Sequence, residues 1–279
     1  MHGLVYGMLI FLVASGLTLV LGMMDILNFA HASIYMIGAY ICYQTMQWTN
    51  NFWLALLVAP LACALLGILI ERMLIRKVHA SGHVNELLLT FGLAMVITEM
   101  IKWIYGATPL PVTTPTVLSG SVRLWGDTMY PLYRLFILLL SGIVLWIMFY
   151  LLKKTRLGIA IRACVQDGVM ASSLGTDVSM VTMTVMGMGA WLAGIAGVIV
   201  APYLSVNPGM FADMITDCFA VIALGGLGSL AGAFVASLLV GQIQSFGVIF
   251  LPRISIMLIY LLMVLVFVVK PSGLFGKKE

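Results

Sequence analysis

The sequence predicts an all-α integral membrane protein, a polytopic helical bundle of about eight to nine transmembrane helices in a single domain over residues 1–279. Only 9% of the residues are charged and 62% are hydrophobic, whereas a soluble globular domain carries about 25% charged residues. Several long runs carry no charged residue: 3–24, 32–70, 135–152, 178–212, 218–252 and 254–269. A helical span needs about 20 apolar residues, so the longest runs each hold two spans.

Helices are favoured over a barrel because the runs show no ten-residue alternation of polar and apolar residues. In hydrocarbon every backbone amide must be paired, and a helix does this within one segment. The first run has no basic start and is too long for the apolar part of a secretion signal, so it reads as a mature span. The predicted spans are 3–22, 32–47, 52–70, 87–105, 135–152, 179–201, 214–228, 230–250 and 254–270.

Two predicted segments are short or broken, near 25–33 and 213–229. The first is a polar interruption between two apolar helices, and the second ends in a glycine-rich sequence. A re-entrant loop at 214–228 is the alternative to a span. It would place the lysine-rich C-terminus outside, so we favour a short or broken span.

The basic residues are distributed unevenly, and this predicts the orientation. Ten of the fourteen fall in three segments: Arg72, Arg76 and Lys77; Lys153, Lys154, Arg156 and Arg162; and Lys270, Lys277 and Lys278. Short cytoplasmic loops of membrane proteins are enriched in Lys and Arg. With all three segments cytoplasmic, nine spans alternate correctly, the N-terminus lies outside and the C-terminus lies in the cytoplasm.

The motifs of common enzymes are missing from the sequence. It has no HExxH zinc pair, no GxSxG elbow and no GxxxxGK[ST] phosphate loop. The four cysteines form no CxxC pair, so no metal site is predicted. We therefore expect a protein that is not an enzyme and that binds no cofactor itself.

A first candidate site surrounds Asn28 and His31. Asp25, Asn28 and His31 are three residues apart, so on a helix they would share one face. Polar groups at membrane depth usually face a cavity or a partner. Asn28, His31 and Tyr35 are therefore candidates to line a substrate path. The alternative, which the residues leave open, is that Asn28 and His31 form hydrogen bonds to neighbouring helices and stabilise the fold.

A second candidate site is the basic segment 155–177. Small and charged residues recur there at a step of about four: Gly158, Arg162, Ala163, Asp167, Ala171 and Gly175. The spacing suits a short amphipathic helix with small residues toward a partner, charged contacts from Arg162 and Asp167, and a helix end at Gly175. A merely solvated, positively charged loop is the alternative.

Small residues also recur at helical spacing inside two spans. One stripe is Ala190, Gly194 and Val198, and another is Ser229, Ala233, Ser237 and Gly241. Such spacing lets helix backbones approach closely. A glycine-rich sequence just before the second stripe predicts a helix break or close packing at Gly225, Gly226, Gly228, Ser229 and Gly232.

Taken in order, these motifs resemble the permease subunits of branched-chain amino acid ABC importers, the leucine/isoleucine/valine type. The matching segments run through nearly the whole chain: 28–31, 35–40, 71–72, 155–175, 224–229 and 232–233. Two departures stand out. The family often has glycine and an acidic residue where this chain has Ala32 and Ser33, and a short segment that precedes the first span in relatives is missing here.

The resemblance implies a permease of the bacterial inner membrane, driven by ATP hydrolysis in separate subunits. The implied partners are a second related permease, two cytoplasmic ATPase subunits that bind the ATP, and a periplasmic substrate-binding protein. Membrane lipid surrounds the chain, and no nucleic acid is involved. Residues 158–175 would then be the coupling segment that docks on an ATPase.

Two other functions are compatible with the sequence. Related permeases for urea, short amides or simple sugars share much of this architecture. A self-sufficient channel or secondary transporter would be expected to carry paired charges within the membrane, and only Glu99 and Lys102, near a span end, come close.

Overall fold

The computed structural model describes residues 1–125, 128–270 and 272–276 and shows a helical bundle. The helices are α1 (His2–Met24), α2 (Ala30–Thr49), α3 (Phe52–Val78), α4 (His83–Tyr105), α5 (Leu132–Lys154), α6 (Arg156–Gln166), α7 (Gly168–Ser173), α8 (Val178–Leu204), α9 (Met210–Gly225), α10 (Leu230–Phe250) and α11 (Ser255–Val269). Two short antiparallel strands, β1 (Ser121–Trp125) and β2 (Thr128–Pro131), precede α5. Lys277 and Lys278 lie outside the described residues.

The fold class agrees with the sequence prediction. Six of the described helices, α1, α3, α4, α5, α8 and α10, are long and apolar enough to cross a membrane. The three other predicted spans correspond to α2, which is more polar, and to the shorter α9 and α11. The chain is therefore an all-α polytopic membrane protein, while the total of eight to nine crossings stays a prediction.

Helix α8 is the centre of the bundle, because α1, α2 and α3 all pack against it. Glycines make these contacts close. A Cβ atom on Gly38 of α2 would lie 2.9 Å from the Gly194 Cα, and one on Gly194 would lie 2.8 Å from the Pro60 Cα. The predicted small-residue stripe of α8 is therefore confirmed as a packing surface.

The second small-residue stripe packs α10 against α1. A Cβ atom on Gly7 would lie 2.8 Å from the Ser237 carbonyl oxygen, and Gly241 meets the backbone of Gly3 and Gly7. Close backbone approach of this kind replaces hydrophobic burial as a source of stability between membrane helices.

Helix α2 begins inside the bundle, not at its end. The chain reverses at Asp25, whose φ of 53° is left-handed, and residues 25–28 are not helical. The Thr90 hydroxyl of α4 lies 3.4 Å from the Leu27 carbonyl oxygen, and it shares its one proton with the Leu87 carbonyl of its own helix at 3.1 Å. The predicted break near 25–33 is present. The expectation that Asp25, Asn28 and His31 share one helix face is wrong, because Asp25 and Asn28 precede the helix.

Helix α9 also begins inside the bundle after a non-helical segment, but its chain enters from the opposite end. It follows an extended segment, 205–209, in which Val206 exchanges backbone hydrogen bonds with Leu110. At 16 residues it is short, and the chain leaves the helix at Gly226, with φ of 96°. The glycine-rich turn 226–229 then separates α9 from α10, as the sequence predicted for 213–229.

Two of the three predicted basic segments meet at one end of the bundle. One cavity at this end is lined by Met23, Arg76 and Cys164, and a neighbouring one by Lys153 and Arg162. We call this the basic end. The opposite end holds His2, Tyr203 and the strand residue Tyr130, with the Arg134 guanidinium 5.3 Å from the Tyr203 ring centroid.

Substituting Gly38 with alanine is expected to destabilise the bundle by about 1–3 kcal/mol, because the added methyl overlaps the backbone of Gly194. The control is Gly142→Ala in α5, where nothing lies within 4 Å of the added methyl. Thermal unfolding of the purified variants in detergent measures both. Equal melting temperatures would contradict the packing role assigned to α8.

Candidate functional site

Asn28 and His31 are fully buried against α1 and α8. The Asn28 amide nitrogen contacts the Met186 sulfur at 3.6 Å, and the His31 Nε2 lies 3.1 Å from the Val13 carbonyl oxygen. Val13 is followed by Gly16, where a Cβ atom would lie 3.0 Å from the imidazole ring. These contacts match the structural interpretation of the two residues, and a place in the substrate path stays a prediction for them.

Tyr35 occupies a different environment, facing α9. It is 2% exposed, and its hydroxyl lies within electrostatic range of Cys218, Asp213 and Asp217. Of the three predicted path residues, it is the one that the structure brings next to ionisable groups. The candidate site therefore lies between α2 and α9.

The two aspartates of α9 were missed by the sequence analysis. Asp213 and Asp217 are one helical turn apart in a helix whose other residues are mostly apolar. Ionisable residues in membrane segments are costly and usually functional. The signal was available in the spacing, but the predicted span 214–228 included Asp217 and began just after Asp213, so the two were not considered together.

The two carboxylates differ in their surroundings. Asp217 is 8% exposed and accepts a 2.6 Å hydrogen bond from the Tyr6 hydroxyl of α1. Asp213 is exposed, together with Ala212 and Thr216 on the same side of the helix. Helix α9 thus has a buried apolar side against the bundle and a narrow polar side that this chain leaves uncovered.

The predicted coupling segment forms two helices, and not the one amphipathic helix expected. Helix α6 ends at Gln166, and the Asp167 side chain accepts a 2.9 Å hydrogen bond from the Met170 amide, which starts α7. A side-chain oxygen in this position stabilises a new helix start. Gly175, with φ of 88°, ends the segment as predicted.

Two small residues of this segment, Gly158 and Ala171, face the bundle, whereas Gly175 is exposed. Gly158 is buried, and a Cβ atom there would lie 2.6 Å from the Leu151 carbonyl oxygen. Ala171 is 3% exposed and Ala163 is half-buried. The Arg162 guanidinium donates to the Leu152 carbonyl at the end of α5. Gly158 and Ala171 therefore pack inward, and a coupling role for Gly158, Arg162, Ala163, Asp167, Ala171 and Gly175 stays a prediction.

The exposed surface of this segment instead carries three apolar side chains. Val169, Met170 and Leu174 are 81%, 58% and 80% exposed, and all three lie at the basic end beyond the membrane helices. We call these three residues the apolar patch. Exposed apolar residues clustered in a polar segment mark interaction surfaces.

The glycine-rich turn behaves as predicted. The Ser229 hydroxyl accepts a 3.1 Å hydrogen bond from the Gly232 amide and begins α10. Gly225 packs on Gly232, and Gly226 and Gly228 both have positive φ values. The segment 272–276 then pairs with the end of α9, since the amide of Leu274 donates to the Leu224 carbonyl at 2.8 Å.

Other charged groups in the described residues form local pairs. Glu99 and Lys102 form the expected pair, at 2.6 Å, on the exposed side of α4. At the basic end, the buried Glu71 pairs with Arg76 and the buried Glu86 with His79. Within the part of the chain that the structure describes, no three His, Cys, Asp or Glu residues are placed to hold a metal ion.

Comparison with known proteins decides the family. The sequence model described as branched-chain amino acid transport system / permease component matches residues 1–267. The chain belongs to this family. It is therefore a transport permease and not an enzyme. No solved structure matches the chain.

Individual permease relatives are distant but align along their length. The high-affinity branched-chain amino acid transport system permease protein BraD of Pseudomonas aeruginosa is 27% identical, over 100% of this chain and 95% of the relative. LivH of Escherichia coli, which carries the same description, is 28% identical over 100% of this chain and 94% of its own. A probable branched-chain amino acid transport permease of Methanocaldococcus jannaschii is 26% identical over 87% of this chain and 78% of its own.

Tyr6→Phe is expected to lower the stability of the permease by about 1–3 kcal/mol, because it leaves the buried Asp217 carboxylate without its hydroxyl donor. The control is Tyr150→Phe, where the ring is 54% exposed. Thermal unfolding in detergent is the measurement. The double variant Tyr6→Phe with Asp217→Leu should regain most of the loss, and a lack of recovery would contradict the pairing.

Proposed function

We propose that this chain is the permease subunit of an ATP-driven importer that carries branched-chain amino acids across the bacterial inner membrane. The observation that carries the proposal is the family match over residues 1–267. Relatives from Pseudomonas aeruginosa, Escherichia coli and Methanocaldococcus jannaschii are named for this transport. The bundle supplies the membrane passage, and no covalent chemistry is assigned to it.

The energy comes from other subunits in this proposal. The sequence has no phosphate-binding loop, so ATP is bound by two cytoplasmic ATPase subunits. A second, related permease completes the passage, and a periplasmic protein delivers the substrate with high affinity. The permease then alternates between outward- and inward-facing packings of similar free energy, and each ligand shifts that equilibrium by its differential affinity.

The basic end is the docking surface for the ATPases. Three observations support this: the excess of Lys and Arg that is typical of cytoplasmic loops, the pair of short helices α6 and α7 at that end, and the apolar patch exposed on α7 and the residue after it. Burying exposed apolar side chains against a partner is favourable, by about 25 cal/mol per Å² of apolar surface removed from water.

Uptake measurements test the proposed substrate. The complete importer is reconstituted in proteoliposomes with its binding protein, and uptake of radiolabelled leucine is measured with ATP inside or outside. We expect ATP-dependent uptake that excess isoleucine and valine suppress and that excess urea or ribose leaves unchanged. Suppression by urea or ribose alone would overturn the substrate assignment.

The apolar patch should couple transport to ATP hydrolysis. Val169→Ser combined with Leu174→Ser is expected to lower both leucine uptake and substrate-stimulated ATP hydrolysis about tenfold, because about 1.4 kcal/mol of docking free energy corresponds to that factor. Ser172→Ala, an exposed position between them, is the control. Unchanged uptake in the double variant, with normal membrane insertion, would contradict the docking assignment. Arg162 variants are less informative because Arg162 also holds the end of α5.

Cysteine labelling tests the orientation. Burial raises the pKa of the Cys164 thiol, and the three other cysteines are buried as well, so the native thiols should react slowly. In intact cells, a membrane-impermeant maleimide is expected to label Ser119→Cys at the outer end and to spare Gln166→Cys at the basic end. In permeabilised cells, the maleimide should label both introduced cysteines. The reverse pattern in intact cells would place the basic end outside.

A further inference from the structure

Asp213 is an exposed carboxylate on a helix that is otherwise mostly apolar. Among the described residues, no hydrogen bond or ion pair engages its side chain; the nearest comparable group, Asp217, already has the Tyr6 hydroxyl. An ionised carboxylate in a membrane segment is costly unless it faces water or a cation. Asp213 is therefore available to a ligand, whereas Asp217 is occupied.

Asp213 lies in the first turn of α9, away from the basic end. Helix α9 ends at Gly225, beside the glycine turn whose Gly228 lines the cavities of the basic end. At 1.5 Å of rise per residue, Asp217 and Asp213 lie about 12 Å and about 18 Å along the helix from that end. For a hydrocarbon core about 30 Å thick that begins at Gly225, both carboxylates fall at the depth where transporters bind their solutes beside discontinuous helices.

Tyr35 is a second and independent indication of a ligand. The residue is 2% exposed, yet within the described part of the chain its hydroxyl has no hydrogen-bond partner, while Asp213 and Asp217 lie in electrostatic range. The Tyr35 oxygen is not among the enclosed side-chain atoms that lack a partner, so it borders accessible space although the rest of the residue is buried. A polar ligand at Asp213 is therefore within reach of this hydroxyl.

The side of α9 around Asp213 has the shape and polarity for a small amphipathic solute. Ala212 and Thr216 flank the carboxylate and are both exposed, so small side chains leave room beside it. The ring of Phe219, one turn below Thr216, packs against Phe29 with centroids 4.8 Å apart and provides an apolar wall. A carboxylate, a hydroxyl and an aromatic wall suit a solute with an ammonium group and an apolar side chain.

We propose that Asp213 binds the ammonium group of the transported solute halfway through the membrane, with the Tyr35 hydroxyl as a second polar contact. The proposal rests on the proposed function, since a branched-chain amino acid carries one ammonium group and an aliphatic side chain. A single exposed carboxylate gives a weak contact. That suits a path that must release what it receives from a high-affinity binding protein.

The test uses the complete importer in proteoliposomes with leucine-loaded binding protein. Asp213→Asn is expected to lower leucine uptake about tenfold, the factor for losing one charge-assisted contact. Binding-protein-stimulated ATP hydrolysis should persist, because the docking surfaces are untouched. Asp213→Glu should restore most of the uptake. Glu99→Gln is the matched control, since it removes an exposed charge from another membrane helix.

A photoreactive leucine that carries a diazirine gives a second readout. In the wild-type importer it should label residues 210–225, and Asp213→Asn should lower that labelling about tenfold at equal protein. Uptake by Asp213→Asn at the wild-type rate would overturn the proposal. So would loss of the second permease or the ATPases on purification of Asp213→Asn, because Asp213 would then be a subunit contact. If the wild-type importer itself carries no leucine, the proposed function fails, and that outcome is seen before any variant is made.

Discussion

The structure depends on the close approach of helix backbones to α8. Lipid offers no hydrophobic driving force between helices, so their association relies on dispersion contacts and hydrogen bonds at short range. Glycine at positions 38 and 194 removes the side chains that would hold α2, α3 and α8 apart. With α8 surrounded, the neighbouring helices can carry irregular backbone without exposing it to lipid.

That protection explains how the broken helices are tolerated. An unpaired amide or carbonyl in hydrocarbon costs several kcal/mol, yet the chain leaves helical geometry at 25–28 and 205–209. In both places a neighbour approaches the backbone: the Thr90 hydroxyl, shared with its own helix, reaches the Leu27 carbonyl, and the backbone of Leu110 pairs with Val206. The breaks let α2 and α9 begin inside the bundle, from opposite ends, and so bring Tyr35 beside the α9 carboxylates.

Apolar length and glycine spacing were enough to predict where the long helices lie, the two breaks and the packing stripes. These features follow from bilayer thickness and from local sequence alone. The division of the coupling segment at Asp167 was not predictable in the same way, because an aspartate in a basic loop serves equally well as a surface charge or as a helix cap. The inward direction of Gly158 depends on where α5 ends, which is a tertiary contact. The importance of Asp213 needed the structure too, since exposure separates it from Asp217.

The distribution of burial indicates where a solute can pass. Helices α1 and α8 are mostly buried within the chain, whereas α4 and α5 expose most of their apolar surface. The centre of the bundle is therefore filled by α8 and its glycine contacts, and leaves little room for a path through a single chain. The polar side of α9, with Ala212, Asp213 and Thr216, instead faces away from that centre. A passage formed there needs a second surface opposite α9 to close it, and the related permease in the proposed assembly would supply that surface. The surface of α8 that holds the bundle together and the polar side of α9 are then different parts of the molecule, so in the proposed assembly the path and the main packing contacts do not compete for the same residues.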